Sequence, residues 1–125
     1  MKLALLVTAA PGTPAAVNAL EFSRSALLGE HQVVRVFFSQ SGAAHANTDL
    51  PLLSGQIDTG AGWGDLSEEH GLDLVVCVGS AQRHGIDAGK QAGVKPANLR
   101  AGFCISGLGQ LVEACLSAER VISFG

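Results

Sequence analysis

Three stretches of the chain, Lys2–Thr8 (KLALLVT), His31–Ser39 (HQVVRVFFS) and Leu72–Val78 (LDLVVCV), are apolar almost without interruption, and that continuity narrows the folds open to it. A strand with one wet face alternates apolar and polar residues, whereas a strand covered on both faces does not. Sheets of such strands need helices on their faces, and the intervening segments supply helical patterns. After the first strand, Thr13 can act as a cap and Pro14 suits a first turn. Val17, Leu20 and Leu27 then recur at helical spacing, and Gly29 marks the stop. Trp63–His70 predicts a short helix and Ser80–Gly85 a helix start. Gly102–Ile105 reads as a fourth strand and Arg120–Phe124 as a short fifth. Between these two, Ser106–Ala118 predicts a helix with Leu108, Leu111, Val112 and Cys115 on one face. Gln40–Gly62, rich in Ser, Gly, Asn, Asp and Thr around Pro51, reads as a long loop with at most a short turn of structure, and loops of this length tend to be functional or interfacial. Asp87–Arg100 is irregular or weakly helical.

Strands that alternate with helices favour parallel pairing, since right-handed crossovers lay the helices on the sheet. The expectation is therefore an α/β fold: a three-layer α/β/α sandwich on a mostly parallel five-stranded sheet, flavodoxin-like in outline, with functional groups beyond the carboxyl ends of the strands. A length of 125 residues suits one domain, residues 1–125, and is short for two. The net charge of −3 argues against direct nucleic-acid binding, which calls for a basic face. The opening MKLALLVTAAPG is cut by Pro11-Gly12 and reads as a strand rather than a leader. No apolar segment approaches the roughly 20 residues that cross a bilayer, so no membrane association is expected. Three cysteines without a CxxC pair fit neither a disulfide framework nor a zinc knuckle, which points to a reducing compartment such as the cytoplasm.

Among chemical candidates Cys77 stands apart. Cys104 lies inside the strand FCIS and Cys115 on the apolar stripe of the last helix, where burial as small hydrophobes is the expectation. Cys77 instead ends a strand and precedes Val78-Gly79-Ser80, a small-residue turn into a helix, with Arg83 and His84 one turn on. Backbone N–H groups and a nearby cation favour thiolate over thiol, and small residues at Gly79 and Ser80 leave room for an approaching group. A cysteine in a V-V-C-V run is also commonly buried and inert, so pattern alone leaves both readings open. His84 is placed to serve as a base or positive neighbour; His31, His45 and His70 are scattered, and no metal site is expected. "SGLGQLV" at Ser106–Val112 lacks the third glycine of a dinucleotide fingerprint and reads as tight strand-to-helix packing. "GSAQRHGIDAGK" has the wrong spacing for a P-loop. No organic cofactor is expected.

Four stretches in order, "LALLVTAAPG", "RVFFSQSGAAHAN", "GLDLVVCVGSAQRHGI" and "GFCISGLGQLVEACLSAERVISF", make the chain resemble the DsrE/TusD family of sulfur-relay proteins. The resemblance implies a DsrE-like fold and a sulfurtransferase subunit that carries sulfur as a persulfide on the cysteine ending the third strand, which is Cys77. Arg83 occupies a matching place, and His84 stands where a second arginine is common. It further implies no cofactor, homologous sister subunits in a hetero-hexamer, and small sulfur-carrier proteins as donor and acceptor, serving tRNA wobble-uridine 2-thiolation or dissimilatory sulfur oxidation. Alternatives are a non-catalytic assembly subunit and, more remotely, a small nucleotide or flavin binder.

Overall fold

The computed structural model describes residues 1–52, 54–87 and 96–125. In chain order the elements are β1 (Lys2–Val7), α1 (Pro14–Leu28), β2 (Gln32–Phe38), a 3₁₀ helix (Gln40–Ala46), α2 (Thr59–His70), β3 (Leu74–Cys77), α3 (Val78–Arg83), β4 (Phe103–Ser106), α4 (Gly109–Ser117) and β5 (Arg120–Phe124). All strand pairings are parallel, in the spatial order β4-β3-β2-β1-β5. The predicted α/β architecture is therefore present, with the sheet parallel throughout.

Steps from β1 to β4 all run in one direction across the sheet and the return to β5 runs the other way. Right-handed crossovers then put α1, α2 and α3 on one face and α4 on the other. On the first face Leu5, Val36, Leu74 and Phe103 align in register, as do Val7, Phe38 and Val76 on the next rung, and all belong to one apolar cluster with Leu20, Trp63 and Leu66 from the helices. Phe38 is its hub. Its ring centroid lies 5.4 Å from that of Trp63 in a T-shaped contact and 5.1 Å from that of Phe103. Trp63 is fully buried.

Several local expectations hold for the stated reasons. The Thr13 hydroxyl accepts from the Ala16 N–H at 3.4 Å and donates to the Ala10 carbonyl at 2.8 Å, and Gly29 closes α1. Others are corrected. Helix α2 begins at Thr59 rather than Trp63, because Asp58 Oδ1 caps it by accepting the Ala61 N–H at 3.0 Å. Strand β3 is shorter than Leu72–Val78, since Val78 already opens α3. The loop from Gln40 holds a largely buried 3₁₀ helix whose Gly42 packs so closely on β1 that a Cβ would sit 2.0 Å from the Val7 carbonyl oxygen. Much of the weak pattern in Asp87–Arg100 lies outside the described residues. Nor is "SGLGQLV" tightly packed, for Gly107 and Gly109 both face open space.

A candidate active site at the end of the third strand

Cys77 is at once the last residue of β3 and the N-cap of α3. Ser106 of β4 lies opposite it in register, and because Phe38 pairs with Val76, Ser39 and Gln40 leave the sheet on its other side. The thiol is half-buried at this rim. Burial works to raise its pKa, but the Ser80 N–H, the Ser80 hydroxyl, the Gly79 N–H and the charge of Arg83 together outweigh it. Cys77 accordingly ionises below the ordinary cysteine value. No full capping hydrogen bond forms to the side chain, so the donors act on the sulfur as aimed dipoles at longer reach.

Of the residues singled out in the sequence, Gly79, Ser80 and Arg83 are thus gathered around the sulfur, and Val78, beside it, is 39% exposed. The Arg83 guanidinium lies 3.9 Å from where a Gly79 Cβ would stand, which places the cation over the first turn of α3. His84 caps the other end of α3, and its ring is not among the groups acting on the sulfur.

Other residues that hold the site give no local signal in the sequence. Helix α3 has six residues, too few to persist without tertiary support. Its carboxyl end is pinned by two amides: Asn47 Nδ2 donates to the His84 carbonyl at 2.8 Å, and Asn98 Nδ2 to the Gly85 carbonyl at 2.7 Å. On the other side the 3₁₀ helix is anchored by His45, which is completely buried. A carbonyl can only accept, so His45 Nδ1 carries the proton that meets the Gly42 oxygen at 2.9 Å. Nε2 then accepts from the Thr59 hydroxyl at 3.0 Å, and the Thr59 oxygen takes the Gly12 N–H at 3.1 Å. Burial, followed by the charge of Arg100, holds the His45 pKa down to about 4, so the imidazole is neutral and structural.

Two of the three cysteines are not buried as expected. Cys104 and Cys115 are exposed. Cys104 sits on the edge strand β4, and Cys115 belongs to an α4 stripe that points away from the sheet; only Ala114 of that helix is buried. Exposure alone therefore does not single out Cys77. What does is the set of donors around it. Among the described residues no group of three or more His, Cys, Asp or Glu stands ready to hold a metal ion, and no helix is long and apolar enough to cross a membrane.

The chain has relatives in sequence and in fold. Across 128 residues, 100% of this chain and 98% of the relative, the sequence is 43% identical to the sulfurtransferase TusD homolog of Pseudomonas aeruginosa. It is 40% identical across 129 residues to the sulfurtransferase TusD of Salmonella newport, covering 99% and 100% of the two chains. The crystal structure of the ychN protein from E. coli shares the fold, with a TM-score of 0.79 over 99% of each chain at 17% identity. The family pattern described as DsrE/DsrF-like matches residues 1–124, and with full-length relatives at this level of identity the chain belongs to the DsrE/DsrF-like family.

Proposed function

We propose that this chain is a sulfur-relay sulfurtransferase and that Cys77 carries the sulfur. The supporting observation is the acidified, half-exposed thiol at the carboxyl end of β3, fronted by Gly79, Ser80 and Arg83. The Cys77 thiolate attacks the outer sulfur of a donor persulfide. A new S–S bond forms at Cys77, the donor's own S–S bond breaks, and the donor leaves as a thiolate. An acceptor thiolate then attacks the outer sulfur of Cys77–S–SH and Cys77 departs as thiolate again, so the two steps are balanced without an external oxidant or cofactor. Ser80, Gly79 and Arg83 stabilise the negative sulfur at the start of the first step and the end of the second.

Donor and acceptor are small carrier proteins in this reading, because the thiol stands on an open rim. A groove of about 490 Å³, lined by Met1, Leu3, Phe22 and Ile122 among others, lies at the opposite, amino end of the strands. Homologous sister subunits complete a hetero-hexamer by covering the α4 face, where Leu108, Val112 and Leu116 are 60%, 57% and 83% exposed. In this reading the relay works in the reducing cytoplasm, which a chain of three cysteines without a CxxC pair supports. Wobble-uridine 2-thiolation in tRNA and dissimilatory sulfur oxidation make the same demand on Cys77 and differ only in the final acceptor.

Incubation with a persulfide donor followed by peptide mass spectrometry tests the assignment. The Cys77 peptide gains about 32 Da, one sulfur atom, and Cys77→Ser neither accepts nor passes sulfur. A serine variant that still relays, or sulfur found on Cys104 or Cys115 instead, overturns it.

A further inference from the structure

Gln40 is the non-glycine residue held at positive φ among the described residues, at +52°. Such a conformation is unfavourable for a side chain with a Cβ and persists where the surroundings dictate it. The Gln40 side chain is exposed and explains nothing about the choice. Its backbone N–H does: it donates to the Ser80 Oγ at 3.0 Å, joining the end of β2 to the first turn of α3. Ser80 is buried, and among the described residues no carbonyl accepts its hydroxyl proton. Cys77 and Ser80 stand at the N-cap and third positions of α3, the spacing at which a side chain reaches back to the cap residue, and the hydroxyl faces the sulfur.

We propose that Gln40 is a positioning residue for Cys77: its left-handed backbone turns its N–H onto the Ser80 oxygen and so leaves the Ser80 proton aimed at the sulfur. An unanchored serine hydroxyl in a helix is free to rotate toward the carbonyl one turn back. With a lone pair already engaged by Gln40, the hydroxyl presents its proton to the thiolate at little reorganisation. The assignment deepens the Cys77 reading and rests on it.

The test is the pH–rate profile of Cys77 alkylation, resolved by peptide mass spectrometry from the exposed Cys104 and Cys115. Ser80→Ala and Gln40→Ile each move the midpoint up by roughly 0.5 to 1 pH unit, the scale of one ordinary hydrogen bond lost at a partly exposed site. The double variant moves no further than Ser80→Ala alone. Gln40→Gly, which keeps the N–H and adopts positive φ freely, retains the wild-type profile. A wild-type midpoint in Gln40→Ile, or single shifts that simply add, overturns the proposal. Should Gln40→Ile not fold, the unmodified protein still decides. The Gln40 amide proton resonance follows the titration of Cys77, and an amide that ignores it overturns the coupling. Alkylation needs no sulfur donor, so failed sulfur uptake with this coupling intact sinks the relay reading alone.

Discussion

On one face of the sheet Phe38 is enclosed by Trp63, Phe103 and His45, whereas on the other Cys104 and Val121, in register with the buried Val75 and Ala4, lie open. The first face is covered by α1, α2 and the 3₁₀ helix, with a continuous apolar cluster beneath them. Among the described residues the second has α4 alone, which buries Ala114 and turns Leu108, Val112 and Leu116 to solvent. Much of what keeps α4 in place is polar. Arg35, in register with Ala4, directs Nε to Asp73 Oδ2 at 2.7 Å and Nη1 to the Gln110 carbonyl at 2.9 Å. One face thus folds the chain, and the other is left with apolar surface that a further chain can cover.

The largest effect is expected in the thick layer. Trp63→Ala removes the aromatic wall of Phe38 and costs about 3 to 5 kcal/mol in urea unfolding. Trp63→Phe keeps a ring there and deletes an indole N–H that has no hydrogen-bond partner among the described residues, so it costs less than about half as much. Equal losses in the two variants would mean that Trp63 acts by something other than filling the core.

Next comes acid. His45 is neutral in the fold with a pKa of about 4, against roughly 6.5 in an unfolded chain. Between these values the unfolded chain binds the additional proton. Stability is therefore fully present above about pH 6.5 and falls as pH drops toward 4, by up to about 3 kcal/mol. His45→Gln, less stable at neutral pH, flattens that part of the curve. An unchanged slope between pH 6.5 and 4 would show that the burial of His45 does not set the acid limit.

The sharp features of the thick layer were legible in the sequence and those of the thin one were not. Nearly continuous apolar runs such as LALLV and VVRVFF announce strands covered on both faces, and V-V-C-V followed by Gly79 and Ser80 places Cys77 at a strand end before a helix. Periodicity in Ser106–Ala118 shows that α4 has an apolar stripe. It does not show whether the stripe meets its own sheet or another molecule, and for that reason the burial expected of Cys104 and Cys115 fails. The supports of the site were illegible for a different reason. Gln40 meets Ser80 across 40 residues and Asn47 meets His84 across 37, and such pairings leave no mark on local composition.

Arg35 tests the thin layer's polar attachment. Arg35→Met strands Asp73 and the Gln110 carbonyl and costs about 1 to 3 kcal/mol. Hydrogen exchange should accelerate in α4 while α1 keeps its protection. Uniform loss of protection in both helices would instead make Arg35 a support of the whole fold.

The smallest effect on stability is expected where the exposed apolar area is greatest. Val112→Lys with Leu116→Lys alters side chains that already face solvent, so the isolated chain changes by no more than about 0.5 kcal/mol. If sister subunits dock on this face, two buried and unpaired charges abolish the assembly seen by sedimentation, while uptake of sulfur by Cys77 from a small persulfide is unchanged. A loss of several kcal/mol in the isolated chain would mean that α4 packs these residues against its own sheet in solution. An intact assembly carrying both lysines would mean that sister subunits bind elsewhere. Either result would remove the contrast between the two faces, since it is the mismatch between low cost to folding and high cost to association that marks a surface kept for another chain.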